Sequence, residues 1–160
     1  LPKPNSGAAP IDHLVAAAAA VRWALERVGD RGYALRCLAF VEDAFERANG
    51  IEVFGGSSAA ESAERYGLRP FVAGDTPPEG SFVFYATEGP IDGIRAEWGH
   101  VGLSLGDGRV VHAWDEVRVD DARAIEQLEP APGWTPPRLR GWTEVATVLR
   151  GHRARRWDDA

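Results

Sequence analysis

The sequence predicts an α+β domain in which N-terminal helices pack on a central antiparallel sheet. Two observations carry this. Apolar residues recur at helical spacing in the first part of the chain, and after about residue 80 the pattern changes to short runs, SFVFYA, GHVGLSL and RVVHAW, the last two split by Gly106-Asp107-Gly108. Helices followed by a meander of strands fit α+β rather than alternating βαβ units.

Taken in order, residues 1–10 are rich in Pro, Gly, Asn and Ser and read as a flexible lead-in. Asp12 caps a helix expected over about 13–28, with Leu14, Ala18, Val21, Leu25 and Val28 as its stripe and Gly29 closing it. A second helix is expected from about Leu35 to Ala48, with Cys37, Phe40, Val41, Ala44, Phe45 and Ala48 on one side and Asn49-Gly50 ending it. Ser58-Ala59-Ala60-Glu61 is a capping box for a third helix that runs to Tyr66 and stops at Gly67. Strands follow over Ser81–Ala86, Gly99–Leu105 and Arg109–Trp114. Asp121 caps a helix to about Leu128, and a proline-rich loop leads to Gly141-Trp142 and TEVATVLRG, which fits a short helix or a strand.

At 160 residues and 44% hydrophobic content the chain suits one domain, expected over 11–150, with 151–160 as a solvated tail. The net charge of −6 carries no basic block, so nothing speaks for nucleic acid or an anionic membrane surface as partner. No apolar run reaches the roughly 18–20 residues of a membrane span; the alanine-rich segment is broken by Asp12, His13 and Arg22. One cysteine excludes an internal disulfide and makes Cys37 a free thiol.

The two histidines of the hairpin, His100 and His112, are the chemical signal. A two-residue Asp107-Gly108 turn would put them on opposite sides of the sheet. A three-residue Gly106-Asp107-Gly108 loop sets Leu105 against Arg109 and Gly102 against His112, so the histidines become diagonal neighbours on one face. The second register also gathers Val101, Leu103, Val111 and Ala113 as core on the other face, and is preferred for that. Gly102 and Ser104 then leave room above the histidines, where the start of the Cys37 helix is expected to dock. A thiol in the first turn of a helix meets free N–H groups and the positive end of the dipole, which favour thiolate. His100 would serve as base and His112 would orient it, as in papain-like hydrolases. Taken alone, Cys37 better fits a buried small hydrophobe on the apolar stripe of its helix, and it is the joint pattern with the two histidines that points to a site. A zinc site of Cys37, His100, His112 and Asp115 lacks close-pair ligand spacing.

The stretches RCLAFVEDAF around Cys37, PPEGSFVFYA before the hairpin and GHVGLSLGDGRVVHA through His112 resemble the NlpC-type cysteine peptidases, papain-like hydrolases of bacterial cell-wall peptidoglycan. The resemblance covers residues 12–115. It implies Cys37 as nucleophile, His100 as base and His112 as orienting residue, a peptide or amide substrate such as a peptidoglycan stem peptide, and no metal or organic cofactor. It also implies secretion or the cell envelope, although the chain as given carries no signal peptide. The family's Asp-Cys-Ser-Gly is here Arg36-Cys37-Leu38-Ala39, its Gly-Asp is Gly80-Ser81, and its upstream tyrosine falls on Leu25, leaving Tyr33 as the nearby substitute. Tyr33 and the backbone N–H of Cys37 are the expected oxyanion donors, and Arg36 is expected to favour thiolate by charge. Trp98 and Trp114 flank the histidines as expected cleft walls, with Thr87–Trp98 as one side. The altered flanks of Cys37 leave open an acyltransferase or tailoring amidase acting on a non-wall substrate, and the same fold also suits a catalytically silent binding module.

Overall fold

The computed structural model describes residues 10–158; the expected lead-in, apart from Pro10, lies outside the described residues. The elements in chain order are α1 (His13–Leu25), α2 (Cys37–Asn49), β1 (Ile51–Glu52), α3 (Ala59–Tyr66), β2 (Phe82–Ala86), β3 (Glu88–Ile91), β4 (Ile94–Glu97), β5 (His100–Ser104), β6 (Arg109–Ala113), β7 (Val117–Asp121), β8 (Arg138–Thr143), α4 (Val145–Val148) and β9 (Arg153–Ala154). Five strands form an antiparallel sheet in the order β7-β6-β5-β2-β8, so the α+β expectation holds.

Helices α1 and α3 begin where the sequence places a side-chain acceptor. Asp12 accepts from the Val15 N–H at 3.0 Å, and Ser58 accepts from the Glu61 N–H at 3.1 Å. Glu61 reaches back one residue further than a standard box, to the Ser57 N–H at 3.0 Å. Helix α1 is shorter and rotated relative to the expectation. Its buried face is Ala16, Ala17, Ala20, Val21 and Ala24, while Leu14 is 82% exposed and Leu25 and Val28 also face outward. The reason is close approach: a Cβ on Gly80 would lie 2.6 Å from the Ala17 Cβ, so this contact admits only small side chains. Helix α2 starts two residues later than expected, which makes Cys37 its first residue.

The hairpin takes the three-residue loop. Leu103 pairs with Val111 and Ser104 with Val110, the Leu105 N–H donates to the Arg109 carbonyl at 2.9 Å, and Gly108 supplies φ +94°. Val101, Leu103, Val111 and Ala113 join α1, α2, Phe82 and Phe84 in the larger core, while Val83, Tyr85, Val110, Ala122 and Ile125 form a second core on the opposite face.

Two expectations are corrected beyond the hairpin. The expected helix from Asp121 is a 3₁₀ turn, Ala124–Gln127, preceded by the strand β7 that the sequence reading missed. Arg153–Ala154 pair with β1, and the Trp157 indole N–H donates to the Ile51 carbonyl at 2.8 Å, so the expected tail is docked although its arginines are exposed. The undecided C-terminal segment is resolved as both elements: β8 completes one edge of the sheet and α4 follows it.

Candidate active site

Helix α2 carries its apolar stripe onto the Val101 and Leu103 face of the sheet, and this brings Cys37 to the end of β5. The expected docking of α2 over Gly102 and Ser104 does not occur. A Cβ on Gly102 would lie 2.3 Å from Val110 Cγ1 and 2.9 Å from His112 Cβ, so the space beside Gly102 belongs to its strand partners, and Ser104 donates to the Pro77 carbonyl at 2.8 Å. The thiol sits at the sheet's end instead, within hydrogen-bonding reach of the Val101 N–H, the residue after His100, and of the N–H groups of Cys37 and Leu38. Arg36, the residue before α2, offers no side-chain cap, so the thiol itself is the side chain that the first-turn N–H groups of Cys37 and Leu38 face.

The two histidines meet as the register requires. His100 Nε2 lies 2.9 Å from His112 Nδ1, the rings are edge-on, and both residues are buried. His112 Nε2 is 2.8 Å from Asp120 Oδ2; Arg118 donates from Nε to Oδ2 at 2.8 Å and from Nη2 to Oδ1 at 3.2 Å. Arg118 also pairs with Asp115 at 3.6 Å. Asp120 and Arg118 were missed by the sequence reading. The signal for them was the alternation in Val117-Arg118-Val119-Asp120 directly after a Trp-Asp-Glu turn, which places Arg118 opposite His112 and Asp120 diagonal to it.

Burial decides the resting charges. It pushes the Cys37 thiol up to about 11 against the opposing help of the three N–H groups, so the expected depressed thiol is corrected. Burial, with His112 beside it, holds His100 well below the ordinary imidazole range; burial also lowers His112, although Asp120 works the other way. The hydrogen bond from His112, joined by Arg118, keeps the Asp120 carboxyl below its usual value. Burial thus favours the neutral forms of the thiol and of both imidazoles.

Cys37 and His100 open onto one cleft of about 1210 Å³, larger than the roughly 300–1,000 Å³ of a drug-sized pocket. Trp98 and Trp114 line it as expected, and Trp114 packs edge-on against His100 with centroids 5.1 Å apart. The Thr87–Trp98 wall is the β3–β4 hairpin. A third indole, Trp134, arrives from the proline-rich segment and lies so close that a Cβ on Gly89 would be 2.0 Å from it; the Trp98 N–H donates to the Gly89 carbonyl at 3.0 Å. Arg36 lines the cleft, but its guanidinium lies over the Tyr33 ring at 5.3 Å and does not act on the thiol. Tyr33 is not among the lining residues; its hydroxyl donates to Asp43 at 2.7 Å, so the structure does not bring it to the cleft as an oxyanion donor. Among the described residues no group of three or more His, Cys, Asp and Glu side chains is arranged to hold a metal ion, and both His112 nitrogens are already engaged.

A helix opening on a cysteine, set against a strand opening on a histidine, is the layout of papain-like thiol hydrolases. The model of the NlpC/P60 family matches residues 27–129, and the chain belongs to that family. Membership points to hydrolase activity of the cysteine peptidase or amidase type, with a peptide as the implied substrate. The match runs past the expected limit at 115 and takes in β7 with Arg118 and Asp120. A search of the curated proteins finds no match to the chain.

Proposed function

We propose that the protein is a thiol amidohydrolase or endopeptidase that cleaves an amide or peptide bond, with bacterial cell-wall stem peptides as the substrate class to test first. The observation that carries this is that His100, hydrogen-bonded to the buried His112, lines the same cleft as the first residue of α2, the sole cysteine. Cys37 Sγ attacks the carbonyl carbon while its proton passes to His100. The oxyanion meets the uncapped N–H groups at the start of α2, where preorganised donors have most effect. His100 returns the proton to the leaving amine, and a thioester remains on Cys37. Water then loses a proton to His100 and attacks the thioester, which releases the acid and restores the thiol. His112 holds the His100 ring throughout. A neutral resting pair means that the proton moves as the bond forms rather than beforehand.

The test is incubation with a set of tri- and tetrapeptides, wall stem peptides among them, with products identified by mass spectrometry and Cys37→Ser as control. Cleavage by the native protein alone supports the reading. Transfer of the acyl group to an added amine in preference to water would make the protein an acyltransferase, and hydrolysis confined to non-wall amides would make it a tailoring amidase. The raised thiol favours one further reading, a binding module on the same fold; peptide binding without turnover in both proteins would establish it.

A further inference from the structure

His112 stands between two partners and has one proton to share. Its Nε2 faces Asp120 Oδ2 at 2.8 Å and its Nδ1 faces His100 Nε2 at 2.9 Å. An ionised carboxylate only accepts, so a neutral His112 carrying its proton on Nδ1 would set two acceptors against each other. The proton therefore belongs on Nε2, and Nδ1 can only accept. That obliges His100 to donate from Nε2, and a neutral His100 is then bare at Nδ1, the ring nitrogen that His112 does not engage.

We propose that Asp120, held by Arg118, is the positioning residue of this site: it fixes the protons of His112 and His100 on Nε2 and so leaves His100 Nδ1 as the proton acceptor. The chain of contacts follows from the sheet. In the β6–β7 register His112 is opposite Arg118 and diagonal to Asp120, so all three share a face. Arg118 has a second part. Its two hydrogen bonds keep Asp120 ionised, and its charge opposes a second proton on His112, which would turn His112 Nδ1 into a donor and break the chain. The other charged or titratable groups around the pair are Asp115, which pairs with Arg118 at 3.6 Å, Cys37 at the start of α2, and Tyr85 on β2, whose ring lies 5.9 Å from that of His100 and whose hydroxyl donates to the Ala122 carbonyl at 2.6 Å. When His100 takes a proton it donates from both nitrogens, and the same chain spreads the new charge toward Asp120. This catalytic use rests on the hydrolase reading; the proton assignment does not.

Both are tested on the full chain labelled with ¹⁵N-histidine, which has only four histidines to assign. The ring nitrogen shifts of the native protein are expected to show Nε2–H and bare Nδ1 for both His100 and His112. Asp120→Ala is expected to mix the His112 tautomers, and to lower kcat roughly 10–100-fold with KM within about twofold. Arg118→Met, which keeps an aliphatic stem, is expected to retain the tautomers but to raise the His112 titration, and with it the acid limb of kcat/KM, by about one pH unit. Native His112 protonated on Nδ1, or tautomers unchanged in Asp120→Ala, would overturn the proposal, and the first of these needs no variant to fold. Tautomers as expected with no peptide cleaved by the native protein would refute the hydrolase reading while upholding the proton assignment.

Discussion

Glu42 offers a quantitative test of how the cleft is built. It lines the cleft from α2, and burial, with Glu46 and Asp43 nearby, pushes its carboxyl from 4.5 to about 8. A carboxyl raised in the folded state binds protons more tightly there than in the unfolded chain. Its contribution to stability is fully present below pH 4.5 and is lost as pH rises through 8. At about 1.36 kcal/mol per unit, a shift of about 3.5 units sets an upper bound of about 5 kcal/mol on the cost of holding Glu42 ionised. Relaxation and water entry reduce such costs, so about 2–3 kcal/mol is the expected measurement. Glutamine has the shape of the protonated acid without the titration. Glu42→Gln is therefore expected to match the native protein at pH 4 and to exceed its stability by about 2–3 kcal/mol at pH 9, read by urea unfolding at both values. A difference that stays constant between the two, or that favours the native protein at pH 9, would refute the claim that Glu42 sits desolvated without a compensating cation.

Three further outcomes are expected. Gly102→Ala forces a Cβ to within 2.3 Å of Val110 Cγ1 and 2.9 Å of His112 Cβ inside the sheet, and is expected to cost about 1–3 kcal/mol in urea unfolding; native-like stability would show that β5 and β6 can part there. The native thiol is expected to alkylate with iodoacetamide at a rate that climbs about tenfold per pH unit past pH 9, because burial raises it to about 11; a plateau below pH 8.5 would reveal a preformed thiolate–imidazolium pair instead. Leu35, exposed and at φ +61° two residues before Cys37, is in a conformation that costs an L-residue about 1–2 kcal/mol. Leu35→Gly is expected to raise stability by roughly 0.5–1 kcal/mol in the same assay, and a loss of stability would show that the Leu35 side chain does more in the cleft wall than strain the turn.

What was legible in the sequence was set by local rules. The hairpin register followed from a loop rich in glycine and from a strict alternation that permits one core face, so the meeting of His100 with His112 was readable. Capping residues marked the starts of α1 and α3 for the same reason. The stripe of α1 was misread because leucine and valine outweigh alanine in a periodicity, whereas the packed contact at Gly80 rewards the smallest side chain. Strand β7 was missed because Val117-Arg118-Val119-Asp120-Asp121 buries one face only and ends in acids that also suit a helix cap. Tyr33 and Arg36 were assigned by proximity in sequence, but the left-handed turn at Leu35 separates them from the thiol and leaves them against one another. Asp120 depended on pairing between β6 and β7, for which the Val117–Asp120 alternation was the one local sign.

The placement of the site explains why its parts differ in cost. Cys37 belongs to a helix packed on one face of the sheet, and His112 lies on the other face, against Arg118 and Asp120 of β7. His100, the first residue of β5, is the point where the two sides meet, because a strand end is the one place where a side chain from one face can adjoin a group packed on the other. A substitution at Cys37 removes a small side chain that takes part in no ion pair among the described residues. A substitution at His112 strips the half-buried Asp120 carboxylate of one of its donors and opens a void between the strands. Loss of activity at Cys37 would therefore report chemistry alone, whereas loss at His112 mixes chemistry with stability. The tautomer of His112, read in the intact protein, separates the two.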